Sequence, residues 1–512
     1  MGKLGIDFGT TNSLAVTYDK NEGKFNYFSF VKRKPTPTSS TVWFHDGTSE
    51  VGNNARKKMY DYADVDGHHF ERSIKLKLGT GKKVSVFGDL KEPYEIASLI
   101  IKQLKDDALK SKSAKAGLDL DQAVFTIPVN FNGKQREELR KSAHAAGVEI
   151  TSFIHEPLAA IVGYYFTMNN GNYTKVMNQL AQMEGQYILT FDWGGGTLDI
   201  TVVRVQDGKM MEVGTSELTG MAGDKLDELL AELAWSRFAD EAIKKYTKEQ
   251  LEQMKNEKWG KLLATAENVK ISLSEQEQTE FFMQAHGDDF VEEMITREDF
   301  ERVIENTLTA ALNKIQEALN IADLNEINIS HVLLTGGTCY IPAVQNAIIK
   351  KFGHRVEAVT DADLLIAQGA AVISEMGWMP FLAKDVLIQL SDDSYWPLFE
   401  KGLLISSSEE AHNSEDFICT DSRNKRAKII VSEGIGQKSD KMLTALNVPL
   451  LGDRNFGDEV VVEGTIDKNI VLKVRGYSRQ VIGYEQPTEE YSIRINRDVN
   501  QLCFGLDFRG EK

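Results

Sequence analysis

Apolar and polar positions change their spacing near Met376, and the change predicts two regions of different architecture. Before it, stripes at helical spacing predict packed helices. One stripe comprises Phe300, Val303, Ile304, Leu308, Ala311, Leu312, Ile315 and Leu319, and another begins with Leu226, Leu229, Leu230, Leu233 and Phe238. Strand-like runs such as AVFTIPV and HVLLTGG alternate with these helices. The alternation predicts an α/β fold before the change.

After Met376 the long helical patterns stop. Short β-rich runs take over, separated by Gly, Asp and Asn: AKIIVSE, EVVVEGTI, NIVLKVRGYS and YSIRINRD. This spacing is typical of a small antiparallel β-sandwich. We therefore predict a first domain over residues 1–383, a linker over 384–391 and a β-sandwich domain over 392–512. The polar stretch 169–186 is predicted to be a surface insertion in the first domain.

One pattern occurs twice in the first domain. GIDFGTTNSLAV, from Gly5 to Val16, reads as strand, polar turn and strand, and LTFDWGGGTLDITVV, from Leu189 to Val203, repeats that order. Two copies predict a duplicated, bilobed domain in which each lobe presents its turn to a shared cleft. The alternative is a chance similarity between two glycine-containing hairpins, which are common.

Composition restricts the partners that the chain can bind. The 512 residues are 42% apolar and 26% charged, as in soluble globular proteins, and the net charge of -17 argues against nucleic acid and anionic membranes. Three dispersed cysteines, Cys339, Cys419 and Cys503, show no disulfide or zinc spacing. With no signal peptide and no apolar run of membrane-spanning length, the sequence predicts a cytoplasmic protein.

The two turns carry phosphate-binding chemistry. In the first, Gly9 lets the backbone approach a ligand, and the N–H groups and hydroxyls of Gly9–Asn12 can face a phosphate. Asp7, at the end of the strand, is placed to hold a hydrated Mg²⁺. The second turn repeats these features with Gly194, Gly195, Gly196 and Thr197, flanked by Asp192 and Asp199. A nucleoside triphosphate between such turns needs only positioning and charge neutralisation for phosphoryl transfer.

A third glycine pair, Gly336-Gly337, follows a buried strand in VLLTGGTCYIP and precedes a helix near Pro342. A strand–Gly-Gly–helix unit allows a flat adenosine to approach the backbone. Alone this unit is a weak indication, but three glycine loops in this order are a strong one.

Together these motifs resemble the actin-like ATPase superfamily, and specifically the DnaK-type chaperones of the heat shock protein 70 family. GIDFGTTNS and FDWGGGTLDI are similar to the two phosphate loops of that family, and AENVKISLSE to its adenosine-gripping helix. LLTGGTCYIP resembles the adenosine loop, and DADLLIAQGAAV the helix that closes the domain. The resemblance is clear over the first domain and weaker in PLFEKG and AKIIVSEG of the predicted sandwich.

The resemblance implies roles around the phosphates. Asp7, Asp192 and Asp199 would arrange Mg²⁺ and K⁺, and Asn12, Gly196 and the hydroxyls of Thr10, Thr11 and Thr197 would lie at the phosphates of ATP or ADP. Lys75 would orient the attacking water, and Glu156 would lie near the γ-phosphate with Asp192 and Thr197 in the catalytic set. Without the resemblance, Lys75 is most simply a solvated lysine, and Glu156 an acid favoured by a helix dipole.

On the adenosine side, the resemblance implies contacts from Gly223, Glu267, Lys270, Ser274, Gly336, Gly337, Thr338, Tyr340 and Asp363. Glu267, Lys270 and Ser274 share one helix face at i, i+3 and i+7, which an exposed polar stripe would also explain. Pro128 and Arg136 match the family's switch proline and relay arginine, and we predict an allosteric role for both.

Several positions depart from the family pattern. Tyr340 and Ile271 replace arginines beside the adenine, and Lys225 replaces an acid near the ribose. Tyr340 can still stack on a base. Ser152 and His155 replace an arginine and an asparagine in the surface that binds J-domain proteins. The linker, usually leucines ending in aspartate, reads VLIQL. These changes put the coupling between the domains in doubt.

In the predicted sandwich, Phe417, Thr420, Ala427 and Ile429 align with the peptide-binding site of the family. No helical pattern follows, so we predict that the family's helical lid is naturally absent or has been removed by truncation. The implied partners are unfolded or extended peptides, a J-domain co-chaperone and a nucleotide exchange factor.

The sequence thus predicts an ATP-hydrolysing, DnaK-type chaperone. One alternative is a sugar kinase on the same fold, which a sugar-dependent ATP turnover would reveal. Another is a nucleotide-sensing adaptor with little ATPase activity that binds one dedicated protein, which the departures at Tyr340, Ser152, His155 and the linker favour.

Overall fold

The computed structural model describes residues 3–508, apart from 112–118, 358–360, 406–408, 421–424, 435, 437–439, 452–458, 480–491 and 501. Residues 1–2, 112–118 and 358–360 of the predicted first domain therefore lie outside the description. The other omitted segments and residues 509–512 belong to the predicted sandwich.

The first lobe, residues 3–182, is built on the meander that contains the first predicted hairpin. Its elements are β1 (Lys3–Phe8), β2 (Asn12–Asp19), β3 (Lys24–Tyr27), β4 (Phe30–Val31), β5 (Lys34–Pro35), β6 (Thr38–Ser39), β7 (Val42–His45), β8 (Thr48–Val51), α1 (Asn53–Tyr62), β9 (His68–Glu71), β10 (Val84–Val86), β11 (Asp89–Lys91), α2 (Pro93–Lys110), β12 (Asp119–Ile127), α3 (Gly133–Ala145), β13 (Glu149–His155), α4 (Glu156–Met168) and α5 (Tyr173–Gln182). The main sheet has the order β13-β12-β1-β2-β3. The polar stretch predicted as an insertion holds α5, whose Val176 and Leu180 are buried.

The second lobe, residues 187–376, repeats the meander. Its elements are β14 (Tyr187–Trp193), β15 (Thr197–Gln206), β16 (Lys209–Thr219), α6 (Gly223–Ala242), α7 (Lys248–Glu257), α8 (Trp259–Glu275), β17 (Gln278–His286), β18 (Asp289–Thr296), α9 (Arg297–Ile321), β19 (Ile329–Thr335), α10 (Pro342–Phe352) and α11 (Leu365–Met376). In both lobes the first strand of the hairpin pairs with its partner in antiparallel fashion, and on its other side with a parallel strand, β12 or β19. The predicted long helix at Phe300–Leu319 is confirmed as part of α9.

The lobes pack together along α4 and α11. Added Cβ atoms at Gly163 and Gly369 would lie 1.9 Å from the Leu365 carbonyl oxygen and 1.8 Å from that of Ala159. Glycine is therefore needed at both positions, because it lets the two helix backbones approach closely. This helix pair connects the two sheets across the bottom of the cleft.

The remaining strands are β20 (Pro380–Leu382), β21 (Asp385–Gln389), β22 (Tyr395–Phe399), β23 (Ala411–Ile418), β24 (Arg426–Gly434), β25 (Lys441–Pro449), β26 (Glu459–Ile466), β27 (Leu472–Arg479), β28 (Ile495–Val499) and β29 (Phe504–Asp507). All of them except β20 and β29 form two sheets that face each other. The orders β22-β21-β24-β25 and β23-β26-β27-β28 are both antiparallel, and buried side chains from both sheets share one core. This arrangement is a β-sandwich.

Two features of this region are not expected for two domains joined by a free linker. The residues predicted as the linker, 384–391, hold β21, which pairs with β22 on one side and β24 on the other. Its apolar run Val386–Ile388 is at most 5% exposed, which explains why it forms an interior strand. In addition, β29 and β20 extend the sheet of the second lobe, whose order is β19-β14-β15-β16-β29-β20. The boundaries at 383 and 392 stay predictions.

No helix in the described ranges is both long enough and apolar enough to cross a lipid bilayer.

Candidate functional site

A cleft of about 190 Å³ lies between the lobes, where the three glycine loops meet. Most of the predicted nucleotide, metal and catalytic residues line it: Asp7, Gly9, Thr10, Thr11, Asn12, Lys75, Glu156, Asp192, Gly194, Gly195, Thr197, Gly223, Glu267, Lys270, Gly336, Gly337, Thr338 and Asp363. The cleft walls do not include the predicted Gly196, Asp199, Ser274 and Tyr340. Residues far apart in the chain thus converge on one cavity.

The turns of the two hairpins approach each other closely. A Cβ at Gly9 would lie 2.0 Å from the carbonyl oxygen of Asn12, and one at Gly195 would lie 1.8 Å from Thr11 Oγ1. The Thr11 hydroxyl is buried, and no hydrogen-bond partner for it is found among the described residues. A buried hydroxyl without a partner is costly, so this oxygen is available to a ligand.

The third loop supports the second turn. Thr338 Oγ1 donates a hydrogen bond to the Gly194 carbonyl oxygen at 3.0 Å, and Gly223 N–H donates to the same oxygen at 3.0 Å. Gly336 has φ +81° and lies against the backbone of Trp193, where an added Cβ would be 2.5 Å from the carbonyl oxygen. Because both conditions exclude a side chain, only glycine suits this position.

Four carboxylates and one ammonium group meet at the base of the cleft. Lys75 Nζ donates to Glu156 Oε1 at 2.8 Å, and the Lys75 side chain is only 7% exposed. Thr126 Oγ1 donates to Asp7 Oδ1 at 3.1 Å. Lys75 is therefore not the solvated surface lysine that the sequence alone suggests, and it faces acids.

Burial and mutual repulsion shift the protonation of this cluster. Burial, reinforced by the charge of Glu156, raises the pKa of Asp7 and of Asp199 to about 7. The same two causes raise the pKa of Asp192 well above its usual value. Burial opposes the charge of Lys75, but Glu156 and Asp7 outweigh it and raise the pKa of its ammonium group. The cluster therefore favours an added positive charge.

These carboxylates fit a hydrated magnesium ion better than a directly caged one. Within the described ranges, no three His, Cys, Asp or Glu side chains are close enough together to hold a metal ion. Mg²⁺ commonly keeps several of its waters and binds through one or two carboxylates together with phosphate oxygens. An oxygen-only donor set with raised carboxylate pKa values suits that form of binding.

Ion pairs cross the cleft on its other side. Arg56 of α1 lies 2.9 Å from Glu267 Oε1, and Arg72 lies 3.5 Å from Glu267 Oε2. Burial disfavours the charge of Glu267, but Arg56 and Arg72 more than compensate and lower its pKa. Lys270 pairs instead with buried Asp227 at 2.7 Å. Glu267 is thus part of a bridge between the lobes rather than of an exposed polar stripe.

A model of the family described as "Hsp70 protein" matches residues 3–392, which is well over half of the chain. The chain belongs to the Hsp70 family. This family has a general chaperone and ATPase role and binds ATP. The match covers both lobes and ends just after β21.

Among Hsp70 proteins the residue over the adenine is expected to be an arginine, and the structure shows what replaces it here. The Tyr340 hydroxyl donates to Asp363 Oδ1 at 2.9 Å and accepts from the N–H of Ala362 at 2.9 Å. Both partners line the cleft, whereas the tyrosine itself is not part of the lining. Ile271 and Ile366 line the cleft nearby, so apolar side chains are available to a base. Ser274 Oγ donates to the Lys270 carbonyl oxygen at 3.3 Å.

Of the two predicted allosteric residues, Arg136 lies where the first lobe meets the sandwich. Arg136 of α3 is fully buried, and its guanidinium donates to the carbonyl oxygens of Asn469, Ile470 and Asn500 at 2.9–3.1 Å. Pro128 follows β12, and its carbonyl oxygen accepts from the N–H of Phe131 at 3.1 Å. Arg136 therefore joins the first lobe directly to the backbone of the sandwich.

The predicted peptide-binding residues lie on both sheets of the sandwich. Phe417 belongs to β23, whereas Ala427 and Ile429 belong to the facing β24. Ile429 is 8% exposed and part of the core, Phe417 and Ala427 are half-buried beside it, and Thr420 is exposed. The four residues thus lie near one end of the sandwich, with Ile429 turned inward.

Sequence reasoning missed Arg56, which lines the cleft, and Arg72, which pairs with the cleft residue Glu267. Arg72 immediately precedes the stretch SIKLKLG that contains Lys75, so its position was a usable signal. Arg56 lies among the basic residues of NNARKKM, where composition alone indicates a solvated helix face.

We predict that Arg56→Ala accelerates nucleotide release several-fold, because the variant lacks the 2.9 Å ion pair between the lobes. Bridges of this kind, partly shielded from water, affect dissociation more than association. Stopped-flow release of a fluorescent ADP would measure the change, with Lys57→Ala on the exposed side of the same helix as the control. An unchanged release rate would contradict a role for this bridge.

Proposed function

We propose that this chain is an ATP-dependent molecular chaperone of DnaK type. It uses an actin-like, ribonuclease H-like duplicated domain to hydrolyse ATP and a β-sandwich to bind extended peptide. The observation that carries the proposal is the single cleft in which three glycine loops adjoin a buried cluster of carboxylates and Lys75. A nucleoside triphosphate suits this cleft, because amides and hydroxyls can bind its phosphates, acids can hold its metal ion and the walls can contact its base.

The residues of the cleft divide the work of hydrolysis. The amides of Gly9–Asn12 and Gly194–Thr197 hold the phosphates, and Lys75 with Glu156 positions the attacking water in line with the γ-phosphorus. Asp7, Asp192 and Asp199 are together the proposed residues for Mg²⁺ and K⁺. When bound, Mg²⁺ neutralises charge on the phosphate oxygens.

The peptide site and the partners are proposals of the same kind. A β-sandwich offers backbone hydrogen bonds and alternating pockets to an extended chain. Phe417, Thr420, Ala427 and Ile429 are the proposed contacts, and a J-domain co-chaperone and an exchange factor the proposed regulators. A cytoplasmic location is proposed from the sequence.

A specific observation favours the second candidate, a nucleotide-sensing adaptor with little ATPase activity. The expected linker is the interior strand β21, with partners on both sides. Freeing such a strand would break two ladders, so large rearrangements between nucleotide states would be costly. Single-turnover ATP hydrolysis separates the candidates, because the chaperone hydrolyses ATP and responds to peptide, whereas the adaptor does neither.

We predict that a bound peptide exchanges quickly in both nucleotide states and that ATP changes its release rate only slightly. The small exposed Thr420 with half-buried Ala427 gives a bound peptide little apolar surface to bury. Fluorescence anisotropy of a labelled apolar peptide in ATP and in ADP measures the rates. Slow release in ADP with a large acceleration by ATP would contradict the prediction.

A further inference from the structure

The strand β29 lies between two strands of the second lobe's sheet, although the strand before it in the chain, β28, belongs to the sandwich. It pairs with β16 through Met210↔Leu506 and Met211↔Gly505, and with β20 on its other side. The position leaves no room for a side chain at Gly505, since an added Cβ would lie 2.5 Å from the Met210 carbonyl oxygen and 2.4 Å from Phe381 Cζ. Pairing therefore depends on glycine here.

A buried His–Glu pair lies where this strand, the second lobe and the first lobe meet. Nδ1 of His155 is 2.9 and 3.0 Å from the two carboxylate oxygens of Glu212, and both side chains are 2% exposed. Because Nδ1 faces a carboxylate, it carries the proton of the ring. The backbone N–H of Phe504 donates to Glu212 Oε2 at 3.5 Å, and the Phe504 ring packs edge-on against His155 at 5.3 Å. Phe504 of β29 thus packs over the His155–Glu212 pair.

Glu212 lies beside an irregularity in its own strand. The register between β15 and β16 shifts where Val202 pairs with Gly214 and Val203 pairs with Glu212. Such a bulge redirects a side chain and is frequent next to active sites. Here Glu212 reaches across to the first lobe.

His155 is the residue directly before Glu156. It is the last residue of β13 and the N-cap of α4, so its backbone fixes where the helix begins. Glu156 is the first residue of that helix and holds Lys75. A displacement of His155 therefore moves the carboxylate that faces the cleft.

The same strand also reaches the sandwich. The N–H of Cys503 donates to Oε1 of buried Glu433 in β24 at 2.5 Å, and the Cys503 carbonyl oxygen accepts from the N–H of Ala383 at 2.9 Å. A short continuous path therefore leads from β24 through residues 503–504 and Glu212 to His155.

We propose that His155 and Glu212 are a positioning pair for Glu156, complete only while β29 is paired with β16. The strand thereby makes the rate of ATP hydrolysis depend on how the sandwich is docked. This inference rests on the proposed function, because it takes Glu156 to act in hydrolysis. Neither His155 nor Glu212 touches the nucleotide in this scheme, and both act through the start of α4.

The test uses the full chain with Gly505→Ala, which excludes β29 from its slot, and Asp507→Asn on the same strand as the control. We expect Gly505→Ala to lower kcat about tenfold and leave the KM for ATP within about twofold, the scale of one buried contact. Asp507, whose ion pair with Lys209 is 3.9 Å long, should tolerate the change. Amide hydrogen exchange at residues 209–212 reports whether β29 has left the sheet.

If Gly505→Ala does not fold, variants of the His155–Glu212 pair still test the proposal. His155→Ala should show the same loss of kcat, and His155→Asn should restore most of it, since the amide nitrogen replaces Nδ1 as donor. Combining His155→Ala with Gly505→Ala should cause no further loss of kcat, because both substitutions disrupt the same His155–Glu212 pair.

Three results would overturn the proposal. One is an unchanged kcat in Gly505→Ala although exchange shows β16 exposed, and another is a His155→Ala variant as fast as the unaltered chain. Losses that multiply in the double variant would also show independent effects. If the unaltered chain binds ATP but never hydrolyses it, the proposed function itself fails, and that result is distinguishable because no variant is needed to see it.

Discussion

Replacement of Lys75 by alanine should leave ATP binding nearly intact and lower the rate of hydrolysis by about 10²-fold or more, the scale of a positioned catalytic group. The ammonium group is buried, 2.8 Å from Glu156 Oε1, and acidic groups raise its pKa, so it stays charged in the cleft. Without it, Glu156 loses its partner and the attacking water loses a donor. Binding is retained because the phosphates are held mainly by the two glycine turns.

A single-turnover experiment with preformed enzyme–ATP complex measures the chemical step apart from product release. Lys77→Ala is the matched control, because Lys77 lies two residues away, pairs with Glu71 at 2.7 Å and is 44% exposed. Lys75→Arg keeps the charge in a larger group and tests whether position matters. An unchanged single-turnover rate in Lys75→Ala would remove Lys75 from the mechanism.

Asp192→Asn should weaken the Mg²⁺-dependent part of ATP binding and slow hydrolysis at limiting Mg²⁺. The carboxylate lies near the end of β14 in the cleft, and burial and Glu156 raise its pKa well above normal, so a cation bound there would stabilise its charged form. The amide keeps the shape but supplies no charge to the metal. In the absence of Mg²⁺ the difference between the two proteins should shrink.

Titration of Mg²⁺ at fixed ATP, followed by hydrolysis rate and by calorimetry, measures this effect. Asp207→Asn is the control, since Asp207 is exposed in the turn at the far end of the β15–β16 hairpin, and asparagine tolerates its φ of +53°. Normal hydrolysis by Asp192→Asn at limiting Mg²⁺ would exclude a metal site built from both hairpins.

The parts of the fold that sequence reasoning reached are those set by local patterns. Helix α9 follows from its apolar stripe, and the two hairpin turns follow from glycines that the structure shows to be sterically required. The convergence of Lys75 and Glu156 came only from the resemblance, since nothing local brings together residues so far apart in the chain.

The features that sequence reasoning did not predict depend on contacts between residues far apart in the chain. Strand β29 has four residues, too few for a period-2 pattern to identify, and its partner strand β16 lies in another part of the chain. The apolar run at Val386–Ile388 fits both an extended linker and an interior strand, and only its neighbours on both sides decide between them. The same limit hid Arg56, whose partner Glu267 comes from the other lobe.

The sheet order β16-β29-β20 also restricts how the protein can mature on the ribosome. Domains form from the N-terminus as the chain emerges, but β29, which pairs with the edge of β16, is translated much later. During that interval the edge exposes unpaired N–H and C=O groups, which readily pair with other chains. The last step in building the second lobe is then a closure over a very long loop, and such closures are slow.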